Sequence, residues 1–216
     1  MWKLGLLAIA LSGLTAAACG GDESLETVPL PTAPDDPSAR TFTREGYSFS
    51  YPGNWVLMSE VLPSGGSPGT VSLSGGTETE ELTVTVSQVP RMIELGRWDE
   101  NEDSYFTQED YLETVADVPR RVTADNLDRF TDWRVPKYKL KYEDVREGPF
   151  ATTVDGLPAL YLVGEGTDVA RNEILVQSVL VFDGETEYAI DCEYSPARED
   201  DMPQVCARAF DTFRLD

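Results

Sequence analysis

The side chains able to do chemistry in this 216-residue chain are mostly carboxylates: 39 Asp and Glu stand against 17 Lys and Arg, and there is no histidine. Without an imidazole, Ser-His-Asp and Cys-His nucleophiles, His-ligated zinc and the usual neutral-pH general base are all out of reach. No G-x-S-x-G, P-loop or G-x-G-x-x-G run occurs, and Ser72-Leu73-Ser74-Gly75-Gly76 is a glycine-rich turn without the flanks these motifs need. Carboxylates alone can hydrolyse a glycoside when two of them sit about 5 to 10 Å apart and one has a raised pKa. Nothing in the sequence sets one pair apart in apolar surroundings, and the acidic residues read as a solvated face. The expectation is a protein with no catalytic residues and no cofactor, with a carboxylate-based glycan hydrolase as the lesser alternative.

One acidic run has ligand-like spacing. Asp99, Asn101, Asp103, Thr107 and Asp110 fall at positions 1, 3, 5, 9 and 12 of a calcium loop of the EF-hand type. Ser104 stands where the sharp turn wants glycine, Asp110 replaces the bidentate Glu, and no helix leads in before Trp98. The run is therefore read as an acidic surface loop and no metal is expected, with a calcium-modulated binding domain as the alternative.

Three cysteines remain, at 19, 192 and 206. Cys192 and Cys206 are placed at the end of a strand and in the helix that follows, close enough for the chain to fold back and pair them as a disulfide. Closing a loop of about 15 residues restricts the unfolded chain by roughly 3 kcal/mol. A redox or metal pair is disfavoured, because there is neither a C-x-x-C spacing nor another soft ligand.

Cys19 belongs to a different signal. Residues 1–18 read as a signal peptide, with Lys3 at the charged start, an apolar stretch from Leu4 to Leu14, and the small residues Thr15-Ala16-Ala17-Ala18. The apolar stretch is short of the ~20 residues a spanning helix needs. Small residues directly before Cys19, with Gly20-Gly21-Asp22 after it, resemble the bacterial lipobox, although Ala16 sits where that pattern prefers Leu. The resemblance implies acylation of the Cys19 thiol and a lipid-anchored protein on the extracytoplasmic face of the cell membrane. Ordinary secretion would also accept Ala16-Ala17-Ala18 as a cut, but would leave an unpaired exposed thiol in an oxidising compartment.

Residues 19–40 carry Pro29, Pro31, Pro34 and Pro37 without apolar periodicity, which predicts a flexible tether. A formal net charge of −22 repels phosphate backbones, so no nucleic-acid partner is expected, and it equally repels an anionic membrane surface. Contact with the bilayer then has to be covalent. The partner expected beyond the membrane is an envelope protein, lipid or glycan of unknown identity.

Residues 41–216, about 176 in number, suit one domain with a sizeable core. Tyr47, Phe49 and Tyr51 alternate with serines before Pro52-Gly53-Asn54, and Leu82, Val84 and Val86 alternate with Thr83, Thr85 and Ser87, which predicts two half-buried strands. Pro63 to Gly69 reads as a loop. Ala159–Val163, Ile174–Phe182 and Tyr188–Cys192 predict three consecutive antiparallel strands, joined by Gly164-Glu165-Gly166-Thr167 and by Asp183-Gly184. Tyr138–Val145 is taken as a further strand, with Lys137, Lys139 and Lys141 alternating along it. Two helices are expected, one capped by Thr107 with Tyr111, Leu112 and Val115 on one face. The other begins at Ser195-Pro196 with Met202, Val205, Cys206, Ala209, Phe210 and Phe213 in a stripe. Trp55, Trp98 and Trp133 lie near element ends, as core residues or as the lining of a ligand cleft.

The run Gly46-Tyr47-Ser48-Phe49-Ser50-Tyr51-Pro52-Gly53-Asn54-Trp55 resembles the opening strand and turn of the PsbP-like superfamily. Val154-Asp155-Gly156-Leu157-Pro158-Ala159 before a long meander, and a closing amphipathic helix near Phe210 to Phe213, are similar to the rest of that pattern. The resemblance implies an α+β fold, an antiparallel sheet sandwiched by helices in a PsbP-like α/β/α order. It carries over no catalytic motif. The function expected is a non-catalytic binding or scaffolding module of the cell envelope.

Overall fold

The computed structural model describes residues 24–64, 67–77, 79–95, 116–168 and 170–216. The signal peptide, Cys19, the Asp99 to Asp110 run, Trp98 and the helix expected at Thr107 to Val115 lie outside them.

The described residues form an α+β fold dominated by antiparallel sheet. A hairpin of β1 (Arg40–Arg44) and β2 (Tyr47–Tyr51) opens the chain, followed by β3 (Val56–Val61), β4 (Gly69–Ser74) and β5 (Glu81–Gln88). Helix α1 (Val89–Leu95) comes next, and α2 (Leu127–Tyr142) precedes the four-strand meander β6 (Asp144–Val154), β7 (Leu157–Thr167), β8 (Glu173–Asp183) and β9 (Thr186–Tyr194). Helix α3 (Met202–Thr212) and the short β10 (Arg214–Leu215) close the chain. Seven strands make one sheet in the order β3-β4-β5-β9-β8-β7-β6, and β1, β2 and β10 make a second, small one.

Strand alternation divides the large sheet into two faces. Tyr161, Val163, Val179, Val181, Ile190 and Cys192 point to one core, which α3 and the small sheet cover with Met202, Cys206, Phe210, Tyr47, Phe49 and Phe213. Leu160, Leu162, Val176, Leu180, Phe182 and Ala189 point to the other, which α2 covers with Leu127, Phe130, Tyr138 and Tyr142. The central strands β7, β8 and β9 are buried on both faces, which is why they read as continuous apolar runs. The layer on the first face is thus a helix and a three-stranded sheet together, rather than a helix alone.

Several expectations hold in detail. The strands at 47–51 and 82–86, the antiparallel meander and the buried stripe of α3 are all present. Asp155 and Gly156 take positive φ, +51° and +78°, as a two-residue hairpin turn requires between β6 and β7.

Others are corrected. Tyr138 to Tyr142 belongs to α2, so Lys137, Lys139 and Lys141 ride on a helix and only Asp144 onward is strand. Gly164 to Thr167 is the end of β7, and the chain turns instead at Asp168 to Asn172, where Asp168 accepts from the Ala170 and Asn172 amides at 2.8 Å. Gly164 and Gly166 serve close packing: a Cβ on Gly164 would stand 2.7 Å from the Tyr138 ring, and one on Gly166 2.8 Å from the Tyr142 carbonyl oxygen. Ser195-Pro196 starts a separate 3-10 turn, Pro196–Arg198, and α3 begins at Met202 with Pro203 in its first turn. The expected tether is not free along its whole length, because Leu25, Val28 and Leu30 pack against the two cores.

Candidate functional site

The polar groups worth weighing as chemistry gather between α2 and the sheet. Glu187, Asp191 and Glu193 lie on the α2 side of β9, and Ser178 lies on the same side of β8. Arg134, Tyr138, Lys141 and Tyr142 recur at helical spacing on α2, so they share one helix face.

Ser178 Oγ donates to Asp191 Oδ1 at 2.5 Å, which leaves Tyr138 OH as the donor across its 3.1 Å contact with Ser178 Oγ. Lys141 Nζ donates to Asp191 Oδ2 at 3.0 Å and lies 4.4 Å from the centre of the Tyr142 ring. Tyr142 OH reaches Glu193 Oε1 at 3.0 Å and Asp191 Oδ2 at 3.3 Å. Arg134 donates twice to Glu187, both bonds at 3.1 Å. Every charged group in the row therefore has a partner, as burial demands.

Burial acts on two phenols and one carboxyl of this row. It is the first cause of the upward shift of Tyr138 and Tyr142, with the Asp191 charge second, so both phenols stay protonated and act as donors. Burial likewise raises Glu193 above the ordinary glutamate range, against the lowering effect of the Tyr142 hydrogen bond and of Lys141.

A serine bonded to a carboxylate invites a nucleophile reading, and the geometry refuses it. Ser178 is 0% exposed and Asp191 5%, so no substrate reaches the pair from solvent. Ser178 also donates its only proton to the Asp191 carboxylate, which Lys141 engages through its other oxygen. The arrangement fastens α2 to β8 and β9. Among the described residues, no three Cys, Asp or Glu side chains converge as a metal would require.

Of the residues singled out by sequence, Cys192 on β9 and Cys206 on α3 are joined by a disulfide, with Cα atoms 5.7 Å apart. Trp55 is buried in the core beside Gly75. Trp133 packs on Phe130 with ring centres 5.4 Å apart and borders a shallow cleft of about 220 Å3 with Asp117 and Arg129. The two tryptophans lie in different places and do not line one cleft.

The accessible features lie at the two edges of the large sheet. β3 exposes every residue, Val56 (59%) and Met58 (66%) among its apolar side chains, and Leu62 (66%) is exposed just past its end. At the opposite edge, β6 borders a cleft of about 660 Å3 between Val28, Leu30, Thr153, Asp155, Phe210 and Arg214. Sequence reasoning missed both: the alternation that marks a buried face is lost on a strand exposed throughout, and a cleft between distant segments has no local signature. No helix among the described residues is long and apolar enough to cross a membrane.

No protein-family profile matches the chain, and no curated protein is similar to it in sequence. Among solved structures, the solution structure of the PsbP protein CyanoP from Synechocystis sp. PCC 6803 is similar at 16% identity, covering 93% of this chain and 99% of that one, with a TM-score of 0.49. A crystal structure from Bacteroides thetaiotaomicron VPI-5482 is similar at 8% identity over 83% of this chain, with a TM-score of 0.40. The chain spans about half of that protein, 49% of its length. Both TM-scores lie below 0.5, so the topology described above rests on this chain's own strand pairing.

Proposed function

We propose that this protein is a lipid-anchored lipoprotein of the extracytoplasmic membrane face, whose PsbP-like α/β/α domain is a non-catalytic binding or scaffolding module of the cell envelope. The anchor reading rests on the signal-peptide pattern of residues 1–18 and on the small residues before Cys19. The layered-fold reading rests on the aromatic run Gly46 to Trp55, which forms β2 and its turn, and on the amphipathic α3.

The observation that carries the binding role is the exposed β3 edge of the large sheet, which has no further strand among the described residues. Val56, Leu57, Met58, Val61 and Leu62 are all exposed on one edge strand and its exit. Edge strands are ordinarily blunted with lysine, proline or a cover, because their unpaired backbone invites another strand. Within Val56–Leu62 the one charged residue, Glu60, faces Arg44 at 3.9 Å, so the strip is close to neutral in a strongly acidic molecule. A solvated strip of this kind is the signature of a surface that a partner covers.

The seat of Leu25 beside β6 bears on how such an anchor would hold the domain. Leu25 is six residue steps from Cys19, a span of about 20 Å fully extended. The large sheet is about 29 Å wide across its six strand spacings. An anchor at Cys19 would therefore hold the domain by its β6 side and leave the β3 edge free to meet a partner.

The test is a photo-crosslinking residue placed at Met58 in cells, with Asp132 on α2 as the exposed control. The reading expects one discrete adduct from position 58 and none from 132. Equal or absent crosslinking at both positions contradicts it.

A further inference from the structure

β6 is the second edge of the large sheet, and this edge is not bare. Thr27 pairs with Ala151 in parallel: Ala151 N donates to Glu26 O at 2.8 Å and Val28 N donates to Ala151 O at 3.0 Å. Leu25 packs on the core under α2, whereas Val28 and Leu30 pack on the core under α3. The segment Leu25 to Leu30 therefore straddles the edge and places side chains on both faces of the sheet.

Its hold is small, consisting of two main-chain hydrogen bonds and three half-buried side chains. The pairing stops there: in this parallel register the next bonds would join Thr153 to Val28 O and Leu30 N, and neither forms. The chain turns off there, and the cleft of about 660 Å3 opens between it and the β6–β7 hairpin.

We propose that the β6 edge and this cleft form a strand-addition site for an extended peptide segment of a partner protein, occupied in cis by Leu25 to Leu30. The bound segment itself shows what the site accepts: a parallel, extended stretch with apolar residues in the pattern of Leu25, Val28 and Leu30. A peptide with the same pattern that stays extended past the Val28 position adds two ladder bonds to Thr153, through its Val28 carbonyl and Leu30 amide, and fills the cleft, so it displaces the tethered segment. Main-chain pairing supplies the affinity and the two apolar seats supply the selectivity. The proposal rests on the binding-module reading and names a ligand class for it at a site separate from β3.

The test uses the full chain and a labelled synthetic heptapeptide copying Ser24 to Leu30, with valine, a residue that favours extended strand, in place of Pro29. Leu25→Asp with Val28→Asp in the full chain releases the cis segment, and this variant should bind the peptide at least ten-fold more tightly than the unaltered chain. Bound peptide should slow hydrogen exchange of the Ala151 and Thr153 amides. In the unaltered chain, a nitroxide at Ser24 should broaden signals from residues around Ala151, and excess peptide should remove the broadening without any core substitution. Equal affinity for the two chains, or broadening that persists at saturating peptide, overturns the proposal. If position 58 still crosslinks to one partner while the peptide leaves these amides unprotected, the β6 site fails and the binding-module reading stands.

Discussion

Arg134 on α2 and Glu187 on β9 face each other across the helix–sheet interface in a two-bond ion pair, with Nε and Nη2 each 3.1 Å from a carboxylate oxygen. The Glu187 side chain is 2% exposed, so loss of its partner strands a buried charge. Arg134→Met should cost about 3 to 5 kcal/mol of stability in urea unfolding, and Arg134→Met with Glu187→Leu should recover much of that loss. A double variant as unstable as the single one would contradict this account.

Two glycines set how closely α2 can approach. A Cβ on Gly164 would meet the Tyr138 ring, and one on Gly166 would meet the Tyr142 backbone. Gly164→Ala and Gly166→Ala should each destabilise by about 1 to 3 kcal/mol. Adding Tyr138→Leu should rescue the first and leave the second unchanged, because a side chain can be trimmed and a carbonyl cannot. Rescue of both, or of neither, in thermal unfolding would refute the packing argument.

The disulfide ties β9 to α3 across the core that Met202 and Phe210 fill. Cys192→Ala with Cys206→Ala should lower stability by about 3 kcal/mol, measured by chemical unfolding under non-reducing conditions. In the unaltered chain, reduction should lower the unfolding midpoint, and the double variant should not respond to reductant.

Glu193 gives a pH dependence of defined sign. Burial raises its folded pKa above the ordinary value of 4.5, so the folded protein holds this proton more tightly than the unfolded chain does. Its contribution is therefore most favourable below 4.5 and declines as pH rises through the raised folded value. Glu193→Gln keeps an acceptor for Tyr142 and should remove that decline. The variant should gain stability over the unaltered chain above this window and not below it. A gain that is the same at every pH would point to a cause other than titration.

Where the sequence was legible, the cause was periodicity. Tyr47, Phe49 and Tyr51, and Leu82, Val84 and Val86, alternate because one face of each strand is buried, and α3 carries a plain apolar stripe. Helix α2 was misread because its sheet-facing side carries Arg134, Tyr138, Lys141 and Tyr142, satisfied by partners on β8 and β9 about 40 to 50 residues away in sequence. A buried polar face has no hydrophobic period, and the alternating lysines of its last turns imitate a strand. Gly164 and Gly166 were misplaced for a related reason: glycine marks a turn locally, whereas here it accommodates a distant helix. The seat of Leu25 to Leu30 on β6 could not be read either, since prolines around it signal a linker and its partner Ala151 lies far along the chain.

The central claim is that a lipid on Cys19 mounts this domain on the membrane. The direct measurement is the intact mass of membrane-extracted protein, beside a Cys19→Ala chain. The account predicts a polypeptide beginning at Cys19 that carries a diacyl or triacyl addition, and loss of the modified species in the variant. A soluble, unacylated chain with the same mass pattern in both proteins would contradict it.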